Sequence, residues 1–216
     1  MIRLTRVTRK FSSKVAVDGL DLHVDRGELF AFLGPNGAGK TTTIKMLVGL
    51  LRPTEGEIAI DGVPVVTQPR QAKSRVGYVP DQPELYDKLT GREFLRFVGR
   101  LRGMQGHELH AATESVVAKF ELRPFVDHLT EGYSHGMKQR VAFAAALIHE
   151  PPLLVLDEPM VGLDPRSMRL VKDLLRQRAR QGGTVFLSTH TLAMAEEIAD
   201  RIGVIHHGRL RFVGTF

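Results

Sequence analysis

Residues 34–41, GPNGAGKT, restrict the possible folds of this chain more than any other segment does. They fit the pattern G-x-x-x-x-G-K-[ST] and stand between an apolar run at residues 29–33 and a helical pattern over about residues 40–50. The glycines allow backbone N–H groups to curve around phosphate oxygens, and the helix start adds partial positive charge. The segment therefore predicts a phosphate-binding loop between a strand and a helix.

The complete motif in this context favours a nucleotide site over an ordinary glycine-rich turn. We expect Lys40 to reach the β- and γ-phosphates and the Thr41 hydroxyl to ligate Mg²⁺. The predicted nucleotide-binding residues of this segment are Gly34, Pro35, Asn36, Gly37, Ala38, Gly39, Lys40, Thr41 and Thr42.

Two acids follow a second apolar run, at residues 153–156, and a histidine follows a third. In open α/β sheets ligands bind at the carboxyl ends of the strands. Asp157 is suited to hold Mg²⁺, and Glu158 to orient or deprotonate an attacking water. His190, in LSTH, is placed to contact a γ-phosphate or position that water. An Asp-Glu-Pro turn with a helix cap is the structural alternative for the acids.

Composition excludes several other classes. The 216 residues are 43% hydrophobic and 25% charged, which is typical of a folded globular chain, and the net charge of +6 does not select a partner. No cysteine is present, so disulfides and thiolate metal sites are excluded. The N-terminus lacks the apolar run of a signal peptide, and no run approaches the roughly 20 residues that span a bilayer. We therefore expect a cytoplasmic protein.

The order of the remaining patterns predicts an α/β fold interrupted by helices. Short strands with turns at Asp18-Gly19 and Arg26-Gly27 are predicted at the N-terminus, then a hairpin turning at Asp61-Gly62. Helices are expected at residues 92–102, 108–120, 137–149, 165–180 and 192–200, and strands at 29–33, 153–156, 184–188, 202–205 and 210–213. This predicts a mainly parallel sheet in a core of residues 1–84 and 151–216, with a helical subdomain at 85–150.

Taken in series, five segments resemble the ATP-binding subunit of an ABC transporter over essentially the whole chain. They are GPNGAGKTT, VPDQPELYDKLTGREF, YSHGMKQR, LLVLDEPMVGLDP and STH. The second and third segments are most similar to the matching segments of exporters of the ABC-2 or multidrug type. In those exporters the membrane subunit is a separate chain. The resemblance implies a P-loop NTPase core of RecA-like fold, an N-terminal antiparallel β subdomain and a helical insert, with ATP and Mg²⁺ as cofactors.

The resemblance also implies that two ATPase subunits pack head to tail. Ser134 and Gly136 would then contact the γ-phosphate of ATP held by a second copy or by a homologous subunit. Ser134 also fits as the N-cap of the buried helix that follows it, and the two roles are compatible. Asp164 would contact that subunit while capping its own helix. Phe11 matches the aromatic residue that stacks on adenine, with a core strand residue as the alternative. His135 and Met137 depart from the commonest form of the Ser134 segment, Ser-Gly-Gly-Gln.

The family's glutamine that links Mg²⁺ to the membrane subunit falls at Asp81 or Gln82, and the sequence leaves both open. Residues 82–89 are expected to contact an integral membrane subunit, placing the chain on the inner face of the cell membrane. Hydrolysis of ATP would power transport, and no nucleic acid partner is expected. The alternatives are a soluble ABC-type ATPase acting on DNA or ribosomes, and a P-loop kinase or GTPase.

Overall fold

The computed structural model, which describes residues 1–216, contains two β-sheets and seven α-helices. The strands are β1 (Ile2–Phe11), β2 (Lys14–Val24), β3 (Leu29–Leu33), β4 (Glu55–Ile60), β5 (Val63–Pro64), β6 (Val76–Val79), β7 (Leu153–Asp157), β8 (Thr184–Thr189), β9 (Arg201–His206) and β10 (Arg209–Gly214). The helices are α1 (Lys40–Leu47), α2 (Pro69–Ser74), α3 (Gly91–Leu101), α4 (Gly106–Lys119), α5 (His135–Leu147), α6 (Pro165–Arg180) and α7 (Leu192–Ile198).

The smaller sheet is antiparallel and has the strand order β2-β1-β4-β5. The predicted turn at Asp61-Gly62 joins β4 to β5, as expected. The predicted turn at Asp18-Gly19 is wrong, because β2 runs through it. Gly19 has a φ of 56° and lies where the register against β1 shifts, so the dipeptide forms a bulge instead. Local turn chemistry alone does not distinguish a bulge from a turn.

The larger sheet has the order β10-β9-β3-β8-β7-β6, and its strands are parallel except for the β9–β10 pair. Strand β3 lies between β8 and β9, although it comes first in sequence. The carboxyl ends of β3, β7 and β8 therefore meet at one edge, with Asp157 paired to Ser188 and Leu33 paired to Thr189. This register brings the phosphate loop and the acidic pair together. The α/β fold with a mainly parallel sheet is confirmed.

Alternate residues of the central strands pack into two different hydrophobic clusters. In β3, Phe30 and Phe32 face the smaller sheet and α1, whereas Leu29, Ala31 and Leu33 face the helices on the other side. Phe186 of β8 lies 5.7 Å from Phe30 and 5.5 Å from Phe32 between ring centroids. Both faces of the sheet are covered, which explains why these strands are continuous apolar runs.

Helices α3, α4 and α5 lie between β6 and β7 in sequence and pack on one face of the larger sheet. Thr90 and Glu93 form a capping box at the start of α3. The Tyr133 hydroxyl accepts from the Gly91 amide at 3.2 Å and lies 2.8 Å from the Phe125 carbonyl, to which it donates. One hydrophobic cluster continues from these helices into the strands. The division into a core and a helical subdomain at 85–150 stays a prediction.

Two elements had no prediction from the sequence, helix α2 and strand β6. Strand β6 is only four residues long, VGYV, and closes the edge of the sheet beside β7. Helix α6 begins as predicted: Asp164 caps it by accepting from the Arg166 and Ser167 amides, both at 3.0 Å. None of the helices has both the length and the apolar character needed to cross a membrane.

Candidate nucleotide-binding and hydrolytic site

The phosphate loop leaves the end of β3 and leads directly into α1. Gly39 adopts a φ of 113°, a left-handed conformation that favours glycine, at the helix N-cap. Gly34 is required for another reason, since a Cβ there would overlap the Ile205 carbonyl of β9. No side chain caps α1, so its first N–H groups are free to bind an anion.

A cavity of about 270 Å³ opens over this loop, and more of its surface is polar than apolar. Its lining residues are Lys14, Ala16, Pro35, Asn36, Gly37, Gly39, Lys40, Thr41, Thr42, Asp81 and Glu158. A larger groove of about 610 Å³ lies on α3 and α4, but it contains none of the predicted site residues. The smaller cavity, in which three separated motifs converge, is therefore the candidate site.

Sequence reasoning missed Lys14 and Ala16, which β2 brings to the loop. The carbonyl of Ala16 lies where a Cβ on Gly39 would be, so the glycine lets the two segments approach closely. No motif includes these two residues, and a lysine at the start of a strand carries no signal of its own. Two predicted loop residues, Gly34 and Ala38, support the loop from behind and are absent from the cavity lining.

Lys40 is buried and its ammonium group is held at the centre of the site. Its Nζ donates to the Gly34 carbonyl at 2.6 Å and to the Pro35 carbonyl at 3.3 Å. It also lies 3.3 Å from Oε1 of Glu158. This distance suits an ion pair, although the alignment leaves Oε1 without a hydrogen-bond partner. Lys40 therefore offers one positive charge between the phosphate loop and the acidic pair.

Asp157, at the end of β7, is fully buried. Its Oδ1 accepts from the Ser188 hydroxyl at 2.5 Å, while its Oδ2 has no hydrogen-bond partner. Burial raises the pKa of Asp157; the Ser188 and Thr41 hydroxyls lower it, and the charges of Asp81 and Glu158 raise it again. A buried carboxylate oxygen without a partner is costly unless a cation or donor satisfies it.

This donor set fits Mg²⁺. The Thr41 hydroxyl and the unpartnered Oδ2 of Asp157 are hard oxygen ligands, and Mg²⁺ characteristically completes its shell with phosphate oxygens and water. No group of three or more His, Cys, Asp or Glu side chains has metal-binding spacing in the chain. The protein would thus supply two ligands.

Glu158 adopts a φ of 46°, a left-handed conformation that costs a non-glycine residue roughly 1–2 kcal/mol. Its backbone N–H donates to the Ser188 hydroxyl at 3.0 Å, so one serine fixes both acids. Its Oε2 lies 3.0 Å from Nδ1 of His190. The sharp turn at Glu158 places one oxygen of its carboxylate beside Lys40. The other oxygen contacts the exposed His190.

The structure separates the two candidates left open by the sequence at Asp81 and Gln82. Asp81 lines the cavity and its charge acts on Asp157, whereas Gln82 is absent from the lining. Both residues are exposed and directly follow β6 and Pro80. The carboxylate, and not the amide, is brought to the site.

Ser134, Gly136 and Asp164 lie outside this cavity. Ser134 caps α5 by accepting from the Met137 amide at 3.3 Å, and Asp164 caps α6. Phe11 is also absent from the lining. Its ring, 43% exposed at the end of β1, carries the Arg9 guanidinium 4.5 Å from its centroid.

Together, a strand–loop–helix phosphate site after β3 and an acidic pair at the end of β7, two strands separated only by β8 in one parallel sheet, define a P-loop nucleotide-binding protein. A family model described as ABC transporter matches residues 17–161. The ABC transporter ATP-binding protein NatA of Bacillus subtilis is 37% identical over 220 residues, covering 100% of this chain and 89% of that protein. The Nod factor export ATP-binding protein I of Burkholderia lata is 41% identical over 208 residues, covering 96% and 68%.

Solved structures with a similar fold are also ATP-binding subunits of this family. An ATP-binding subunit of an ABC transporter has a TM-score of 0.93 at 33% identity, covering 100% of this chain and 90% of that one. A dimeric ATP-binding cassette, in a post-hydrolysis state bound to ADP and Pi, has a TM-score of 0.91 at 28% identity, covering 100% and 98%. The chain therefore belongs to the ABC transporter family, as an ATP-binding ATPase subunit, and the resemblance noted in the sequence is confirmed.

Proposed function

We propose that this subunit hydrolyses ATP as the motor of an exporter whose membrane-spanning part is a separate chain. The observation that carries the proposal is the convergence of Lys40 and Glu158 on one cavity over the phosphate loop, with His190 in contact with the Glu158 carboxylate from outside the lining. Binding alone would not need a carboxylate held in a strained turn beside the lysine.

In the proposed reaction, the backbone N–H groups of the loop and the Lys40 ammonium bind the phosphates, with Thr42 beside them in the lining. Mg²⁺, held by Thr41 and Asp157 with Asp81 nearby, would neutralise phosphate charge when bound. Ser188 keeps Asp157 oriented by the hydrogen bond to Oδ1, which leaves Oδ2 free.

Glu158 orients the attacking water and accepts its proton. Its carboxylate is prepared for this task on both sides, by Lys40 at Oε1 and by His190 at Oε2. The histidine lies on the exposed side of the pair and is proposed to act on the attacking water through Glu158. Phe11, on the surface beside β2, is the proposed platform for adenine.

A second subunit is proposed to complete the site. Ser134 caps α5 and Gly136 lies in its first turn, where the helix dipole favours an anion, yet neither residue lines the cavity of its own chain. They are the proposed contacts to the γ-phosphate of ATP on a second copy or a homologous subunit, and Asp164 lies in the adjoining loop. The dimeric cassette among the similar structures supports this arrangement.

The membrane partner and the direction of transport are proposed from the relatives. One relative is named as an export ATP-binding protein and another as an ABC transporter ATP-binding protein. These names favour export over work on DNA or ribosomes. The exposed Tyr86 and the neighbouring residues 82–89 are the proposed contact with the membrane subunit, which would hold the chain at the cytoplasmic face.

Purified chain, assayed for phosphate release and for mass in solution, tests the proposal. Wild-type protein is expected to hydrolyse Mg·ATP, whereas Glu158→Gln is expected to bind ATP, lose turnover by at least about 100-fold and accumulate as a dimer. Light scattering after size exclusion measures the dimer, and Glu150→Gln, at an exposed residue that follows α5, is the control. Wild-type turnover in Glu158→Gln, or a monomer in saturating Mg·ATP, would contradict the proposal.

A further inference from the structure

Two side chains at the start of α5 contact the loop that follows Glu158. The ring Nε2 of His135 lies 3.1 Å from the Val161 carbonyl, to which it donates in the Nε2–H tautomer. One helical turn later, Nε2 of Gln139 donates to the Pro159 carbonyl at 3.3 Å. Residues i and i+4 share a helix face, so these side chains form two successive contacts with one loop.

The loop is shaped to receive the imidazole. Gly162 adopts a φ of 75°, and a Cβ at this position would overlap the His135 ring. The ring therefore packs against a position where only glycine fits. The next residue of the helix, Gly136, lies against the Gly162 carbonyl and the Leu163 side chain. The contact between the start of α5 and this loop therefore consists of close packing as well as the hydrogen bond.

The loop begins at the left-handed turn of Glu158. Upstream of that turn, the Ser188 hydroxyl fixes the backbone of Glu158. Downstream, the side-chain contacts from α5 hold the Pro159 and Val161 carbonyls. A residue in a sparsely populated conformation stays there only if its surroundings hold it on both sides. The downstream restraint comes from the helix that Ser134 caps.

We propose that His135 is a positioning residue for hydrolysis. By holding the Val161 carbonyl, it fixes residues 159–163 and, through them, the turn that aims the Glu158 carboxylate. The start of α5 and the hydrolytic carboxylate of the same chain therefore move together. The kinetic part of this inference rests on the proposed function, whereas the restraint on the loop does not.

Two substitutions test the role of the ring. His135→Ala removes the donor and the packing on Gly162, while His135→Gln keeps an N–H donor of similar reach. His107→Ala, at an exposed histidine of α4, is the matched control. For His135→Ala we expect kcat to fall about five- to tenfold, the effect of one lost hydrogen bond, with the KM for ATP unchanged. His135→Gln should retain at least half of the wild-type kcat.

Amide hydrogen exchange gives a measurement that does not need turnover. In His135→Ala, exchange over residues 160–164 is expected to rise about fivefold, with no change over residues 34–47 and no change anywhere in His107→Ala. Unchanged exchange over residues 160–164 would overturn the inference, as would equal loss of kcat in His135→Ala and His135→Gln. If wild-type protein does not hydrolyse ATP, the proposed function fails, and the exchange experiment alone decides the restraint.

Discussion

Nδ1 of His190 lies 3.0 Å from Oε2 of Glu158, although 32 positions separate the two residues in sequence. Their strands, β7 and β8, are parallel neighbours, and Asp157 pairs with Ser188. Each residue directly follows the last residue of its strand, so the parallel register brings them together. The histidine thereby supports a carboxylate whose backbone is already strained.

His190→Ala should slow turnover because Glu158 loses the partner of one carboxylate oxygen. We expect kcat to fall by about 100-fold, within the range of general acid–base contributions. ATP affinity should change less than about twofold, since His190 does not line the cavity. Phosphate release and equilibrium binding measure the two effects. His206→Ala, at an exposed strand end, is the control, and an unaltered kcat in His190→Ala would remove the histidine from the reaction.

Lys40→Ala should weaken nucleotide binding about 10- to 100-fold, the effect of losing one charge-assisted hydrogen bond of roughly 1.5–3 kcal/mol. Lys45→Ala is the matched control, because that lysine is exposed on the same helix. Isothermal titration with ATP measures the difference, and thermal unfolding checks that both variants fold. Equal affinities for the two variants would contradict the phosphate assignment of Lys40.

Ser134→Arg should block nucleotide-driven dimerisation while leaving ATP binding to one chain intact, because the bulky cation occupies the exposed start of α5. Loss of the N-cap should lower stability by only about 1 kcal/mol. Light scattering in the Glu158→Gln background measures the dimer. Ser74→Arg is the control, because it introduces the same charge at an exposed serine of α2. A wild-type proportion of dimer in Ser134→Arg would refute the two-subunit site.

His149, near the end of α5, should make the protein sensitive to acid. Burial lowers the pKa of His149 from 6.5 to about 4, and the nearby Arg102 and Arg178 charges lower it too. The unfolded chain therefore binds a proton at higher pH than the folded chain does. The contribution of His149 to stability is present above pH 6.5 and is lost as the pH falls from there towards about 4.

Between these two pH values the free energy of unfolding should fall by about 1–2 kcal/mol more in wild type than in His149→Gln, after allowance for solvent screening of a partly exposed group. Urea unfolding at a series of pH values measures it, and His110→Gln, at an exposed histidine, should follow wild type. Parallel pH curves for wild type and His149→Gln would show that the imidazole does not titrate in this way.

The features of this fold that depend only on neighbouring residues were predicted correctly from the sequence. Asp164 and Pro165 start α6, Ser134 caps α5, and the phosphate loop joins β3 to α1, because each involves side chains within about one turn of the backbone they act on. The Asp18-Gly19 dipeptide shows the limit. The same residues suit a turn or a bulge, and pairing with β1, a long-range contact, determines which one forms.

The sequence by itself determined the family and the residue types of the site, since glycine freedom, strand-end carboxylates and helix starts are encoded over short segments. Only the tertiary structure brought Lys14 and Asp81 into the cavity, placed Ser188 between the two acids, and set His135 against Gly162. Each of these contacts joins segments distant in sequence. Strand order and register establish them, and no local preference of the chain specifies either one.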